Sequence, residues 1–104
     1  MKIDGCTALI TGASAGIGCE FARQLAGRAH SLILVARREQ KLSELRDELR
    51  RQHPNLTVRI RKTDLADPGQ LKELKAWLDY ERIDVDLLIN NAGLGDVGPF
   101  ATSK

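Results

Sequence analysis

The chain alternates between two apolar patterns, and this alternation restricts its fold more than any other feature. Short apolar runs typical of buried strands are separated by segments whose apolar residues recur every three or four positions, as in an amphipathic helix. The predicted strands cover residues 7–11, 32–36, 56–61 and 86–91, and a helix lies in each interval. Strict alternation of this kind predicts an α/β fold with a parallel sheet and right-handed crossover helices.

The composition of the strands predicts their order in the sheet. Residues 32–36 (LILVA) are apolar throughout, as expected of a strand covered on both faces, whereas the third strand has arginine at positions 59 and 61 and resembles an edge strand. Both observations favour a doubly wound sheet of order 3-2-1-4. The fourth strand, Leu87–Ile89, would then leave an apolar edge unpaired. We therefore expect further strands, and we interpret residues 1–104 as the N-terminal part of one domain.

Three glycines lie where the first strand gives way to the first helix, in the stretch TGASAGIG at residues 11–18. Unpaired amides and about half a positive charge make a helix N-terminus a favourable site for phosphate. We expect Gly12 to form the tight turn, Gly16 to admit a pyrophosphate and Gly18 to allow close helix packing. The predicted contacts in this turn are Gly12, Ser14, Ala15, Gly16, Ile17 and Gly18.

The end of the second strand predicts which dinucleotide is bound. An NAD site usually has an acidic residue there, about 20 residues past the glycines, to hold the ribose 2′-hydroxyl. This chain has Ala36 instead, followed by Arg37 and Arg38. A guanidinium suits the 2′-phosphate of NADP, so we predict NADP rather than NAD, with Arg37 as the main ligand because it lies closer to the strand. The alternative is that both arginines are solvated residues opening a helix.

Two separated motifs carry a resemblance to a known family. The pattern T-G-x-x-x-G-x-G at Thr11–Gly18, together with N-N-A-G at Asn90–Gly93, resembles the short-chain dehydrogenase/reductase family, and Asp64-Leu65 matches its acidic residue after the third strand. The resemblance covers essentially the whole chain and implies a Rossmann-like fold that binds NAD(P). One departure is that many NADP-preferring members have a basic residue where this chain has Ala15.

The resemblance also implies roles for residues further along the chain. Asp64 would bond the adenine amino group, and Leu65 would lie beside the ring through its backbone. Alternatively, Asp64 caps a turn before Asp67-Pro68. Asn90 and Asn91 need hydrogen-bond partners at the strand end. The contacts implied beside the coenzyme at this strand end are Asn91, Ala92 and Gly93.

Catalytic residues are not assigned in this chain. Members of the family transfer a hydride between NADP(H) and an alcohol or carbonyl substrate, using a tyrosine, a lysine four residues later and a serine. The single tyrosine, Tyr80, is followed four positions later by Asp84, so we expect it to be a packing residue. By resemblance, the complete protein would be a homodimer or homotetramer, and this chain alone would be inactive.

Composition argues against several other classes of protein. A net charge of +2 and one Trp, one Tyr and two Phe without clustering do not suggest nucleic-acid binding. No apolar stretch approaches the roughly 20 residues of a membrane span, and we expect a cytoplasmic location. Cys6 and Cys19 lack metal-site spacing. A nucleotide-responsive regulatory module without catalysis and a purely structural α/β protein remain alternatives to an NADP-dependent oxidoreductase.

Overall fold

Strands and helices alternate throughout residues 4–14 and 16–90, the part of the chain that a computed structural model describes. The predicted order of elements is confirmed, with strand boundaries within one residue of the expected positions. The elements are β1 (Thr7–Thr11), α1 (Gly16–Leu25), β2 (Ser31–Ala36), α2 (Glu39–Gln52), β3 (Thr57–Lys62), α3 (Pro68–Tyr80) and β4 (Leu87–Asn90). No helix in these ranges is long and apolar enough to span a membrane.

The four described strands form one parallel sheet of order β3-β2-β1-β4, which confirms the predicted order. The register places Leu9 of β1 between Ile33 of β2 and Leu88 of β4, while Ile33 pairs with Arg59 on its other side. Because all strands run in the same direction, their carboxyl ends lie together along one side of the sheet. The functional residues discussed below lie at this carboxyl edge, which is distinct from the outer strands β3 and β4. The segments that follow β1, β2, β3 and β4 therefore start from the same edge.

Helices cover both faces of the sheet, and β2 is buried along its whole length, as its apolar sequence predicts. Successive strand residues point to opposite faces. Leu32 and Leu34 pack in a core with the buried leucines of α2 and with Ala22 of α1. On the opposite face, Ile33 and Val35 pack with residues of α3 and the loop before it, namely Leu65, Leu74 and Leu78.

The outer strands are less covered than the inner ones. The four central residues of β3 are half-buried and its two end residues are exposed, consistent with its predicted edge position. The Arg61 guanidinium lies 4.8 Å from the ring centroid of Trp77 on α3. At the other edge of the described sheet, Leu87, Leu88 and Ile89 of β4 are also only half-buried. Our expectation that further strands cover this edge stays a prediction.

The first helix buries a narrower face than its apolar pattern suggests. Ile17 and Phe21 fit the helical spacing, but they are 66% and 40% exposed. The buried positions are Gly18, Ala22 and Leu25. Each residue turns the helix by about 100°, so Ile17 and Phe21 lie beside the contact face rather than on it.

A charged pair joins the two helices on one face of the sheet. The Arg23 guanidinium of α1 binds both carboxylate oxygens of Glu48 on α2, with Nε–Oε2 and Nη2–Oε1 distances of 2.8 and 3.1 Å. The hydrogen bond from Arg23 lowers the pKa of the Glu48 carboxyl and raises that of the guanidinium. A carboxyl whose pKa is lowered on folding stabilises the fold above its unfolded-state pKa. This stabilisation is lost as the pH falls through the folded-state pKa.

We therefore expect Glu48→Gln to lower the melting temperature slightly at neutral pH and to have no effect once the pH is below the folded-state pKa of Glu48. Thermal unfolding at neutral pH and at a pH below that pKa measures the two expected effects on the melting temperature. Glu44→Gln is the control, because Glu44 bonds only Gln40 of its own helix among the described residues. A Glu48→Gln effect that persists unchanged in acid would contradict the ion-pair explanation.

Candidate functional site

The first strand-to-helix turn contains two glycines in a left-handed conformation. Gly12 has φ +65° and Gly16 has φ +59°, values that side-chain-bearing residues rarely adopt. A Cβ built on Gly16 would meet no atom of the described residues within 4 Å, so their packing does not exclude a side chain there. Gly18, in contrast, is buried within α1. The space beside Gly16 is therefore open to a ligand.

The backbone amides of this turn divide into two groups. Ala13 donates its N–H to the Val35 carbonyl over 3.2 Å, which ties the turn to the end of β2. The N–H groups of Gly16, Ile17 and Gly18 bond no acceptor in residues 4–14 or 16–90. These three groups form the positive end of the α1 dipole and can donate to an anion. The predicted contact Ser14 is half-buried, and Ala15 lies outside the described residues.

Two arginines follow β2, and their side chains are positively charged and exposed. The Ala36 carbonyl at the end of β2 accepts a hydrogen bond from the Thr63 N–H over 2.9 Å. Arg37 and Arg38 come next, and both are exposed. Neither guanidinium pairs with an acidic group in the described part of the chain, and Arg38, the N-cap of α2, makes no side-chain cap bond. Cations are disfavoured at a helix N-terminus, where the helix dipole is positive. A bound anion would reduce the repulsion between this dipole and the two guanidiniums.

Asp64 and Leu65 follow β3 at the same edge. The Asp64 Oδ1 accepts from the Ala66 N–H at 3.0 Å, so this carboxylate does cap a turn, as our alternative interpretation expected. Its Oδ2 bonds no group among the described residues and can accept from a further donor. The two roles are therefore compatible. Leu65 is buried in the core with Leu74 and Leu78 of α3, so its side chain is used in packing.

Thr11 has a place at this edge that the sequence did not predict. This last residue of β1 is fully buried, and its hydroxyl lies 3.0 Å from Asn90 Oδ1 and 3.4 Å from the Ile89 carbonyl. The expectation that Asn90 finds a partner at the strand end is confirmed, although Asn90 is exposed. A polar residue ending an apolar strand is the sequence signal that could have identified Thr11. The predicted contacts Asn91, Ala92 and Gly93 lie outside the described residues.

The sheet register brings these groups to one edge. Thr11 pairs with Val35 and with Asn90, and Val35 pairs with Arg61 one residue before the end of β3. Tyr80 ends α3, which runs back toward the amino ends of the strands. It is 84% exposed, so the prediction that it is a packing residue is wrong.

Comparison with known proteins identifies the class. Residues 6–104 match the short chain dehydrogenase family, and the chain belongs to this family. An uncharacterized oxidoreductase of Mycobacterium tuberculosis is 38% identical over 96 residues, which cover 92% of this chain. The match spans 38% of that relative's own length. The resemblance seen in the two sequence motifs is thus confirmed.

Solved structures support the same conclusion. The bulky-bulky ketone specific alcohol dehydrogenase from Comamonas testosteroni is 38% identical and superimposes with a TM-score of 0.75 over 95% of this chain and 40% of its own. L-sorbose reductase from Gluconobacter frateurii, solved with NADPH and L-sorbose, is 33% identical, with a TM-score of 0.80 over 90% of this chain and 35% of its own. The Rossmann-like fold predicted from the sequence is confirmed.

Proposed function

We propose that this chain is the coenzyme-binding part of an NADP-dependent oxidoreductase, which transfers a hydride between NADP(H) and an alcohol or carbonyl substrate. One observation carries the proposal. Two sets of positive groups at the same edge of the sheet have no partner among the described residues: the amides of Gly16, Ile17 and Gly18 after β1, and the guanidiniums of Arg37 and Arg38 after β2. Two separate positive groups suit a ligand with two phosphate sites, a pyrophosphate and a 2′-phosphate.

Different residues at this edge bind different parts of the dinucleotide. The α1 amides hold the pyrophosphate, helped by the Ser14 hydroxyl, and Arg37 binds the 2′-phosphate with Arg38 as a weaker second ligand. Asp64 accepts from the adenine amino group through Oδ2, and the backbone of Leu65 lies beside the ring. The contacts proposed toward the nicotinamide end, from the family resemblance, are Asn91, Ala92 and Gly93.

The bound coenzyme supplies or accepts the hydride, and the residues at this sheet edge bind and orient it. The substrate class follows from the family and from neighbours whose names specify a ketone and L-sorbose. Hydride transfer itself is proposed for the whole protein that carries this sequence. Assembly into a dimer or tetramer stays a prediction.

Titration with NADPH and with NADH tests the proposal. Trp77 is the single tryptophan of the chain, and energy transfer from it to the reduced nicotinamide gives a binding signal. We expect NADPH to bind about 10- to 100-fold more tightly than NADH, because one hydrogen bond to a charged group contributes about 1.5–3 kcal/mol. Equal affinities would contradict the NADP preference, and no binding of either would favour a purely structural protein.

The alternative function, a nucleotide-responsive regulatory module, predicts the same binding without turnover. Oxidation of NADPH by the whole protein in the presence of a panel of ketones and aldehydes distinguishes the two. Turnover supports the oxidoreductase. Tight binding without turnover of any carbonyl would favour the module.

A further inference from the structure

A glutamine on α3 reaches back to the loop that carries Asp64. The Gln70 side chain uses both ends of its amide. Its Oε1 accepts from the Asp64 backbone N–H at 2.8 Å, and its Nε2 donates to Asp67 Oδ2 at 3.1 Å. Gln70 is therefore bonded at the same time to the residue proposed to contact adenine and to the N-cap of its own helix.

The other contacts of this loop complete a closed network. Asp67 Oδ1 caps α3 by accepting from the Gly69 N–H at 2.9 Å, so both Asp67 oxygens are used. The Asp64 carbonyl accepts from the Asp67 N–H at 3.0 Å, and its Oδ1 accepts from the Ala66 N–H at 3.0 Å. Asp64 is thus held by its amide, its carbonyl and one carboxylate oxygen. Its Oδ2 bonds no group among the described residues and can accept from a donor outside the loop.

We propose that Gln70 is a positioning residue that orients Asp64 to recognise the 6-amino group of a purine. This inference rests on the proposed function, in which Asp64 contacts adenine. A carboxylate on a free loop must lose conformational entropy when it binds, and a carboxylate already fixed by the fold does not. The hydrogen bond that the Asp64 N–H donates to Gln70 Oε1 fixes the backbone that carries the Asp64 side chain. Gln70 does not itself touch the base.

The test compares NADP with its hypoxanthine analogue, which carries a carbonyl oxygen in place of the 6-amino group. The wild-type protein should bind NADP about tenfold more tightly than the analogue, since the amino group donates to Asp64 and the oxygen cannot. Gln70→Ala should weaken NADP binding about three- to tenfold and change binding of the analogue by less than about twofold. Discrimination between the two bases is the measured quantity, and a loss of stability alone does not alter it.

A paired substitution gives a rescue. Gln70→Glu keeps the acceptor for the Asp64 amide but sets a second carboxylate against Asp67, so it should lose discrimination as the alanine variant does. Asp67→Asn combined with Gln70→Glu restores the hydrogen bond between the two side chains with its direction reversed, since the asparagine amide donates to the glutamate carboxylate. The asparagine oxygen can still cap the helix. The double variant should recover discrimination to within about twofold of the wild-type value.

Gln24→Ala is the matched control, because Gln24 also bonds a carboxylate, Glu20 on α1, at 3.1 Å and does not contact the Asp64 loop. It should leave discrimination unchanged. Equal weakening of both ligands by Gln70→Ala, or no rescue by the double variant, would overturn the positioning role. Wild-type protein that binds both dinucleotides equally would overturn the adenine contact and the role of Gln70 with it. Binding of neither would overturn the proposed function itself.

Discussion

Gly16→Val should weaken NADPH binding by at least about a hundredfold, because two or more charge-assisted bonds of about 1.5–3 kcal/mol each are lost. The valine side chain would occupy the space beside the turn where we place the pyrophosphate, and no atom of the described residues lies within 4 Å of a Cβ built there. A side chain also strains the left-handed backbone, at φ +59°. The tryptophan energy-transfer titration measures the affinity.

Gly5→Val separates the strain from the loss of the site. Gly5 also has a positive φ, +78°, and a Cβ built on it meets no atom of the described residues within 4 Å, but it precedes β1 at the opposite edge of the sheet. Both variants should lose about 1–2 kcal/mol of stability or somewhat more, since valine is branched at Cβ. Only Gly16→Val should lose NADPH binding. If the two variants bind NADPH equally well, the turn does not hold the pyrophosphate.

Arg37→Ala should reduce NADPH affinity about 10- to 100-fold and leave NADH affinity within about twofold of the wild-type value. The exposed guanidinium has no counterion among the described residues, so its removal breaks no ion pair there. The 2′-phosphate is present in NADPH and absent from NADH. The ratio of the two affinities therefore isolates this contact.

Arg50→Ala is the control for Arg37→Ala. Arg50 lies in the last turn of the same helix, α2, is exposed, and makes no ion pair with a described residue. Arg50→Ala removes the same charge far from the sheet edge and should change neither the NADPH nor the NADH affinity. Arg38→Ala should have a smaller effect than Arg37→Ala. Equal losses of NADPH and NADH binding in Arg37→Ala would show that the residue does not read the 2′-phosphate.

The elements of the fold could be predicted because their signals are local. The three leucines of α2 recur at helical spacing, and the Asp67-Pro68 start of α3 is present as an N-cap followed by proline at the first helical position. The strand order followed from composition, since a strand covered on both faces must be apolar throughout. Packing of α1 was less predictable. Its apolar pattern is wider than the face it buries, and Ile17 and Phe21 are left exposed.

The contacts of the candidate site depended on tertiary structure. Thr11 meets Asn90 across 79 positions of sequence, and only the pairing of β1 with β4 brings them together. Asp64 caps a turn with Oδ1, while its Oδ2 bonds no described residue, and this division could not be derived from residue type. Nor could the network through Gln70, since its amide contacts depend on how the loop after β3 enters α3.

The central claim is that the backbone amides at the start of α1 bind the pyrophosphate of a dinucleotide. Nuclear magnetic resonance of ¹⁵N-labelled protein during NADPH titration tests it most directly, because each backbone N–H gives its own signal. We expect the largest shifts at Gly16, Ile17 and Gly18, with no shift at the amide of Gly5. Saturation with NADPH that leaves the three α1 amides unmoved would contradict the claim.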